Sequence, residues 1–502
     1  MAYPTLKPNY TWFAPNVSTI KRSTITSINI VDTYTPSSNV TDSWDASLNQ
    51  DGSIMVYVEG TNLTIAGNGS GKIYANEDAS RMFSHDTSER FTNLTTIRDD
   101  DGILDTSKCT TFNRMFDRCT SLVSIGGTNN WDTSKVTDTM AMFQMNNALT
   151  KLESTNWTFP ECLNTRYMFW GCQNIEDIDV SNWAFGKVTI MDNMFAGGGT
   201  YDCTTKYKKL DVSNWDMSRA VDVSFMFYAC KGPKEIDVSK WNVSSIENFD
   251  HMFAHSYLKI GDVSNWRTTS AINMNALFHT TKNEVLDVTN WQVSTVKYFC
   301  QMFEHMKVTT EIKGLETWDT SSGVGFDEMF QNSSALIKLN LSSFDTRNAK
   351  DGETASVNGH TTATLSNMFN GCTSLEEVIV GPNFSFDGDG TTTSNRGVLP
   401  TTTDGYWYSL NGTAYTPSEI PNLTSGVYYA SPSLIKQASA KKYISLNALK
   451  HYHEKSKTMI ENTLEDKVNY TDLTNYYKKS ETDNKLSEYK EMSSIEILSI
   501  FE

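Results

Sequence analysis

The most regular feature of the sequence is a hydrophobic pattern that recurs every 25 to 27 residues over most of its length. A tryptophan marks one position of the pattern, and a phenylalanine, often preceded by methionine, follows each of these tryptophans after 12 residues. The tryptophans are Trp131, Trp157, Trp183, Trp215, Trp241, Trp266, Trp291 and Trp318. The phenylalanines are Phe83, Phe116, Phe143, Phe169, Phe195, Phe227, Phe253, Phe278, Phe303, Phe330 and Phe369. A fixed period of this length predicts a solenoid, here of about ten stacked coils.

Two shorter patterns predict the secondary structure inside each coil. Before the tryptophan, apolar residues alternate with polar ones, as at Ile178 and Val180, which predicts a short strand with those side chains inward. After it, apolar residues recur at offsets of 5, 8, 11 and 12, as at Val296, Phe299 and Phe303. Such spacing is typical of one face of a short helix. We therefore expect an α/β solenoid with one short parallel strand and one short helix per coil.

The segments between these fixed positions differ in how much length variation they accept. From phenylalanine to the next tryptophan the distance varies from 13 to 20 residues, and the polar insertion Gly197–Tyr207 lies in such a segment. A second insertion, "DGETASVNGHTTA", breaks the 12-residue rule between Phe344, which stands in for a tryptophan, and Phe369. Loops on a rigid scaffold often carry recognition, so both insertions are candidate receptor-binding sites, with harmless decoration as the alternative. The candidate residues are Thr200, Tyr201, Asn358, Gly359, His360 and Thr361.

One copy of the pattern carries a family resemblance. From Trp131 to Phe143 the chain reads "WDTSKVTDTMAMF", which resembles the repeats of BspA-like bacterial surface proteins, a leucine-rich-repeat-like family. The resemblance covers residues 20–430. It implies a leucine-rich-repeat-like solenoid that serves in surface display and adhesion.

The composition changes along the chain and predicts four regions. Near the start, Ile54, Val56 and Val58 alternate, "EGTN" predicts a turn, and Leu63 and Ile65 resume the alternation, which is typical of a β-rich cap. The stretch at 383–430 is rich in Gly, Thr, Pro and Tyr and predicts closing hairpins. The regions are 1–75 (N-terminal β-rich segment and cap), 76–382 (repeat solenoid), 383–431 (C-terminal β-rich cap) and 432–502 (helical oligomerisation or anchoring tail).

The last 70 residues differ from everything before them. Apolar residues between Leu446 and Val468 recur at helical spacing, which predicts an α-helical tail that packs against other copies or another protein. A solvated helical appendage is the alternative. The phrases "YYKKSETDNKLSEYKEM" and "SSIEILSIF" are similar to the ends of bacteriophage tail and fibre proteins. That likeness implies a homotrimer, of the coiled-coil kind, that docks on other virion proteins.

Charge and hydropathy narrow the possible partners and locations. The chain has 59 acidic against 42 basic residues, a net charge of −17, which disfavours nucleic acid as a partner. Its apolar runs are too short for membrane insertion. The start "MAYPTLKPNY" has no secretory signal pattern, so we expect assembly in the host cytoplasm and exposure on a virion.

An aspartate ladder is the main candidate for chemistry. One aspartate occupies the same position in five successive coils, where strand alternation points it outward. Carboxylates stacked at about 4.8 Å repel each other unless they are solvated, hydrogen-bonded or bridged by cations. The ladder is thus a candidate metal site, with hydrogen bonding to nearby serines or backbone as the favoured alternative. Its members are Asp179, Asp211, Asp237, Asp262 and Asp287.

Other polar groups give weaker signals. His251 and His255 lie four apart, and His279 and His305 sit beside the phenylalanines of the next two coils, so stacking could assemble a metal site. Without an evident carboxylate partner, solvated loop histidines are the favoured interpretation. "GNGSGK" at 67–72 lacks the spacing of a phosphate-binding loop and predicts a turn between strands.

The cysteines follow the repeat and predict no chemistry. Cys119, Cys172, Cys230 and Cys372 each follow a repeat phenylalanine by three positions, and other coils place small residues there. No C-x-x-C pattern occurs, so we expect buried packing groups rather than disulfides or a zinc site.

These observations favour a binding protein over an enzyme, with no cofactor. The leading hypothesis is a phage fibre or receptor-binding protein that attaches the virion to a host surface protein or glycan. A head or neck fibre that only decorates the virion and a bacterial cell-surface adhesin are the alternatives.

Overall fold

A computed structural model gives the fold of this chain. It describes residues 3–85, 89–99, 101–198, 203–354, 361–363, 365–390 and 396–438. Contacts divide the chain into two units, Met1–Pro432 and Ser433–Glu502. Within the described ranges, the helices are too short or too polar to span a lipid bilayer. Four short 3₁₀ helices occur at Asn9–Trp12, Arg22–Thr24, Thr128–Asn130 and Leu315–Thr317.

The N-terminal region forms a six-stranded sheet that joins the first coils. Its strands follow the order β2-β3-β4-β1-β6-β8. The predicted hairpin is confirmed, because β3 and β4 pair antiparallel around the turn, and β6 and β8 continue the sheet in parallel. The bounds are β1 Ser27–Val31, β2 Asp42–Asp45, β3 Met55–Glu59, β4 Asn62–Ala66, β5 Ile73–Tyr74, β6 Thr96–Arg98, β7 Leu104–Asp105 and β8 Ser124–Ile125. The stretch at 67–72 lies between β4 and β5, as predicted for a turn.

Most coils of the solenoid contribute a short parallel strand, as the alternating pattern predicts, but the coil of Trp215 has none around Leu210 and Val212. The pairs β9–β10, β11–β12 and β13–β14 are parallel and in register, with side chains such as Leu286 and Ile312 buried. The bounds are β9 Lys151–Leu152, β10 Asp177–Ile178, β11 Glu235–Ile236, β12 Lys259–Ile260, β13 Val285–Asp287, β14 Glu311–Lys313 and β15 Lys338–Leu341.

The opposite side of each coil is a series of tight turns, which we call the turn ladder. It begins five residues before each repeat phenylalanine and ends two residues after it. In the coil of Phe278, for example, the turn ladder is 273–280. Alternate amides there donate to the next coil: Ala276 N–H to Cys300 O at 2.8 Å, and Phe278 N–H to Met302 O at 2.9 Å. The intervening amides turn back within the coil, as His279 N–H does to Ala276 O at 3.2 Å. About half of the amide groups of the turn ladder therefore form hydrogen bonds within their own coil, and the other half form hydrogen bonds to the next coil.

Left-handed residues make this alternation possible. The residue two before the phenylalanine has a positive φ in eleven coils, although none of the eleven is glycine. They are Arg81, Arg114, Ala141, Tyr167, Asn193, Phe225, His251, Ala276, Gln301, Glu328 and Asn367. The residue two after the phenylalanine is also left-handed in most coils, including the glycines Gly171 and Gly371. A non-glycine residue pays about 1–2 kcal/mol for this conformation, so the inter-coil packing must outweigh it.

The predicted short helix is therefore wrong, and with it the α/β class. The apolar spacing of three and four residues is real, but consecutive turns also place those side chains on one side. A helix needs right-handed φ throughout and bonds from each N–H to the carbonyl four residues before, and left-handed residues such as Ala276 forbid both. Isolated helices this short are also marginal, whereas the turn ladder gains bonds from both neighbouring coils. The described chain is mostly β and turn.

The predicted hydrophobic spine is confirmed. Eleven repeat phenylalanines, from Phe83 to Phe369, form an unbroken column in which neighbouring ring centroids lie 5.0–6.1 Å apart with nearly parallel planes. The eight repeat tryptophans are at most 4% exposed and stack beside that column. Phe344 continues the tryptophan series, since its ring stacks on Trp318 at 6.1 Å.

In most coils, a polar group at the end of a core side chain forms a hydrogen bond to the coil before it, although the indoles of Trp131 and Trp183 have no partner. The indole N–H of Trp241 donates to Val212 O at 2.9 Å, and that of Trp291 donates to Val263 O at 2.9 Å. The small-residue position three after the phenylalanine acts in the same way, because Cys172 Sγ donates to Phe143 O at 2.9 Å. The cysteines are free thiols, and burial raises the pKa of the Cys172 thiol to about 12.

The C-terminal end closes as the composition predicts, with a mixed sheet of order β15-β18-β21-β19-β20. The insertion after Phe344 forms an antiparallel hairpin of β16 and β17. The bounds are β16 Asp351–Thr354, β17 Thr361–Ala363, β18 Glu377–Val380, β19 Trp407–Ser409, β20 Ala414–Tyr415 and β21 Gly426–Tyr429. Residues 432–438 are α-helical, and the rest of the predicted helical tail lies outside the described residues.

Two alanine-to-glycine substitutions distinguish the turn ladder from a helix. Ala276 (φ +50°) and Ala254, in the preceding coil and without a positive φ, are both fully buried. We expect Ala254→Gly to lower the free energy of unfolding by about 1–2 kcal/mol, because it loses a methyl group and gains unfolded-state entropy. Ala276→Gly should stay within about 0.5 kcal/mol of wild type, because relief of the left-handed strain offsets those losses. Equal losses of about 1 kcal/mol at both positions, measured by urea denaturation, would instead indicate a helix.

The core role of the indoles predicts a graded series at Trp266, which is fully buried and stacks on Trp291 at 5.6 Å. Trp266→Ala should lower the free energy of unfolding by about 3–5 kcal/mol, because it leaves a cavity beside the phenylalanine column. Trp266→Phe should lower the free energy of unfolding by less, because a ring still fills the site. It loses only the hydrogen bond from the indole N–H to Val238 O. The control is Val285→Thr at a 43% exposed strand position, with an expected change within about 0.5 kcal/mol. A Trp266→Ala loss no larger than the control's would contradict burial of the indole.

Candidate functional site

The turn ladder carries a run of rings on its outer side, in the coils of Phe227, Phe253, Phe278 and Phe303. These rings occupy positions one and two residues from the phenylalanine, where most other coils place small, polar or charged side chains, with Tyr167 and Trp170 in the coil of Phe169 as an exception. We call this set the ring strip. Its members are Phe225, Tyr228, His251, His255, His279 and His305.

Neighbouring coils bring the rings of the strip into direct contact. The Phe225 and His251 rings stack with centroids 4.7 Å apart and planes 7° from parallel. Tyr228 contacts His255 edge-on at 5.4 Å, and His255 in turn lies 4.3 Å from His279. The series ends with His279 and His305 at 5.3 Å. The one-coil stacking that builds the core thus also builds a continuous strip of rings outside it.

The strip is only partly covered by the rest of the protein. All of its members are half-buried except His279, which is 7% exposed. Aromatic rings with one face covered and one face available are the chemistry that dominates binding surfaces. The left-handed backbone at Phe225, His251, His255 and His305 fixes where these side chains leave the coil.

Two buried carboxylates contact the imidazoles. Asp250 is 1% exposed, and its Oδ1 lies 2.8 Å from His251 Nδ1. Glu304, 5% exposed, places Oε2 at 3.3 Å from His279 Nε2 and Oε1 at 3.2 Å from His305 Nε2. One carboxylate therefore lies between imidazoles from two successive coils.

Burial sets the charge of these groups. It lowers the pKa of His279 to about 4, and burial together with the neighbouring His279 lowers the pKa of His255 to about 4. Burial also raises the pKa of Glu304 to about 7, with the charge of Asp327 acting in the same direction. The pKa of His305 is lowered mainly by burial, against the attraction of Glu304. The imidazoles of His255 and His279 are thus neutral at pH 7, with lone pairs available for hydrogen bonds or a metal ion.

The prediction of solvated loop histidines is wrong for this group. His279 is buried, and three imidazoles lie in sequence along the ladder. The signal in the sequence was the spacing, because His255, His279 and His305 are 24 and 26 residues apart, one coil each. The partner that sequence reasoning missed is Glu304, which precedes His305 and faces His279 only once the coils are stacked.

The aspartate ladder occurs at the end of the strand side, where each carboxylate accepts from its own turn. Asp179 accepts from Ser181 N–H at 3.0 Å and Oγ at 2.6 Å, and Asp287 accepts from Thr289 N–H at 3.0 Å. Asp211, Asp237 and Asp262 repeat this with Ser213, Ser239 and Ser264. The Ser181 hydroxyl lowers the pKa of Asp179, and the ammonium of Lys209 lowers that of Asp211. A cation role for the ladder stays a prediction.

A shallow groove of about 470 Å³ lies beside this ladder. It is lined by residues of four successive coils, among them Glu153, Asp179 and Lys208. Lys208 Nζ lies 3.0 Å from a Glu176 oxygen, and Lys209 Nζ lies 2.9 Å from Asp211 Oδ2. The charges in the groove are thus largely paired with one another, and exposed pairs of this kind contribute little energy.

The candidate receptor-binding residues lie mostly beyond the described part of the chain. Thr200 and Tyr201 fall within 199–202, and Asn358, Gly359 and His360 fall within 355–360. The backbone of Thr361 belongs to β17, opposite Thr354 of β16. Their role in binding stays a prediction.

Comparisons with known proteins identify the repeat. No curated protein matches the sequence at a significant level. A solved structure of the TLR13–ssRNA13 complex is similar over 61% of this chain and 47% of that chain, at 12% identity and a TM-score of 0.15. This chain therefore spans about half of that chain's length, and a superposition of that quality carries no argument about ligand or detailed geometry.

A family described as "Mycoplasma protein of unknown function, DUF285" matches at four overlapping stretches, 78–206, 198–313, 256–363 and 283–384. Together they cover the solenoid from the coil of Phe83 to β18, more than half of the 502 residues. The predicted BspA-like repeat character is confirmed by this match. The chain belongs to the DUF285 repeat family.

Proposed function

We propose that this protein is an adhesion protein, in which a rigid repeat scaffold holds the ring strip against a macromolecule on a cell surface. The observation that carries this proposal is the strip itself, six rings in contact across four coils, with five of them half-buried. Three coil steps of about 4.8 Å give it a length of roughly 15 Å, enough to contact several residues or sugars of a partner.

A second ring pair extends the same side of the solenoid. Tyr167 and Trp170 occupy the equivalent positions in the coil of Phe169, with centroids 6.0 Å apart, and the Arg166 guanidinium lies 5.1 Å from the Tyr167 ring. Tyrosine, tryptophan and arginine dominate binding energy at protein interfaces. The intervening coil has small or polar side chains at these positions, Asn193 and Ala196. Two ring patches on one rigid side support binding to an extended partner.

The arrangement of the cysteines and of the ring strip supports a binding role better than a catalytic one. Seven of the eight cysteines are buried, and burial raises the pKa of thiols such as Cys109 and Cys230 to about 12, far from a reactive thiolate. The ring strip offers imidazoles and flat aromatic rings, with the carboxylates of Asp250 and Glu304 beside them. We therefore propose a non-enzymatic role without a cofactor. The net charge of −17 favours protein or glycan partners over nucleic acid.

The finer placement on a phage virion is a second candidate. It rests on the likeness of the C-terminal sequence to fibre proteins, and that sequence at 439–502 lies outside the described residues. Homotrimer formation, docking on virion proteins and assembly in the host cytoplasm belong to this candidate. Family membership favours the bacterial surface adhesin, the alternative weighed from the sequence.

Cell binding by the full-length chain tests the adhesion role. A fluorescently labelled chain should bind a subset of a bacterial and animal cell panel in flow cytometry, and the double variant Phe225→Asn/Tyr228→Ser should bind at least about 30-fold more weakly. This is the effect of losing a hot-spot contact worth about 2 kcal/mol. Asparagine suits the left-handed backbone at Phe225, so the fold should be retained.

The matched control changes exposed apolar residues on the strand side. Val285→Thr/Ile337→Thr alters positions that are 43% and 44% exposed, and cell binding should be unchanged. Wild-type chain that binds no cell in the panel, or equal binding by the ring-strip double variant, would contradict the proposal. Loss of binding in the strand-side control alone would move the binding surface to the opposite side.

A further inference from the structure

We infer that His279, Glu304 and His305 form a binding site for one divalent transition-metal ion, with Zn²⁺ as the best-matched ion. One ligand atom from each residue can be chosen so that all three lie within 4.8 Å of one another. This inference is independent of the adhesion role and holds whether or not the ring strip binds a cell.

The distances fit the coordination of zinc. Zinc bonds of about 2.0–2.2 Å to nitrogen and oxygen place tetrahedral ligands roughly 3.3–3.5 Å apart. Glu304 Oε2 lies 3.3 Å from His279 Nε2, and Glu304 Oε1 lies 3.2 Å from His305 Nε2. One carboxylate oxygen and two imidazole nitrogens lie within 4.8 Å of one another, so a single ion would have to draw them together until one oxygen faces both nitrogens.

Unpartnered buried atoms give a second reason. His279 and Glu304 are 7% and 5% exposed, and Glu304 Oε2, the oxygen that faces His279 Nε2, has no hydrogen-bond partner. A buried carboxylate oxygen without a hydrogen bond is costly, and a bound cation would offset that cost. The unpartnered oxygen thus points to a cation at the place where the two imidazoles meet.

The backbone holds the ligands in place before any ion binds. His279 comes from one turn ladder, whereas Glu304 and His305 come from the next. The two are fixed to each other by Phe278 N–H donating to Met302 O at 2.9 Å and Thr280 N–H donating to Glu304 O at 3.0 Å. Preorganised ligands lose little entropy on binding, which favours affinity.

The donor set selects the type of ion. Two imidazoles and one carboxylate suit Zn²⁺, Co²⁺ or Ni²⁺, whereas Ca²⁺ and Mg²⁺ prefer oxygen ligands only. Three protein ligands leave a fourth position for water or a group from a partner, as in sites that are not purely structural. His255 adjoins the site, with its ring 4.3 Å from His279, and the amide of Asn332 lies 3.3 Å from His305 Nε2 and would be displaced by the ion.

The experiment is a zinc titration of the full-length chain after treatment with a chelator, followed by isothermal calorimetry. We expect one equivalent of Zn²⁺ to bind, and Glu304→Gln and His305→Gln to weaken its affinity by at least about 10- to 100-fold through loss of a ligand. Glu304→Gln keeps the shape of the side chain, and His305 is 34% exposed, so both variants should retain the fold, checked by circular dichroism.

His251→Gln is the matched control, because it removes another imidazole of the ring strip that lies outside the three ligands. Its zinc affinity should equal that of wild type. A second readout uses Co²⁺ in place of zinc, whose visible absorption should report nitrogen and oxygen ligands and should change in His305→Gln but not in His251→Gln. No zinc binding at micromolar concentration, or equal affinity in all variants, would overturn the site and leave a carboxyl group shared between two imidazoles.

Discussion

The solenoid depends on the hydrogen bonds that run from alternate amides of one turn ladder to carbonyls of the next. Because every second N–H points along the solenoid axis, coils must stack at a constant spacing, and the phenylalanine rings follow at 5.0–6.1 Å. This requirement explains why the turn ladder keeps the same length from coil to coil, even where the segment before it carries an insertion, as between Phe344 and Phe369. A residue inserted within the turn ladder would shift the alternation by one position. Amides that donate to the next coil would then turn back into their own coil, and the reverse. Length variation is therefore confined to loops such as Gly197–Tyr207 and the β16–β17 hairpin.

Register between coils is fixed by side chains as well as backbone. In six of the eight repeat tryptophans the indole N–H reaches a carbonyl of the preceding coil, whereas the indoles of Trp131 and Trp183 have no such partner. At the position three after the phenylalanine, a thiol, amide or hydroxyl does the same in several coils. Cys119 Sγ and Asn146 Nδ2 donate to Phe83 O and Phe116 O at 3.1 and 2.9 Å. The position takes any small donor, which is why cysteine there predicts no redox chemistry. Buried donors that find carbonyl partners add stability and penalise slipped stacking.

The sequence predicts the parts of the fold that depend on periodicity. The spacing of Trp and Phe is enough to predict the solenoid and the stacked spine, and the alternation before each Trp is enough to predict most of the short parallel strands. The alternation at Val56 and Val58 is enough to predict the N-terminal hairpin. Spacing could not reveal the backbone between them, because consecutive turns and a helix place residues three and four apart on the same side. The left-handed position two residues before each phenylalanine holds residues such as Arg, Ala, Tyr, Gln and Glu rather than glycine. The composition therefore does not indicate the turns at that position. The histidine cluster was visible only as a period, and its glutamate only after stacking.

The sign of φ at Ala276, measured by NMR on the full-length chain with selectively labelled alanine, tests the turn ladder most directly. Ala254, one residue after its phenylalanine, serves as the internal reference for right-handed backbone. We expect a left-handed conformation near +50° at Ala276 and a negative φ at Ala254. Negative, helical φ values at both alanines would contradict the turn ladder, and with it the stacking that places the ring strip and the three metal ligands side by side.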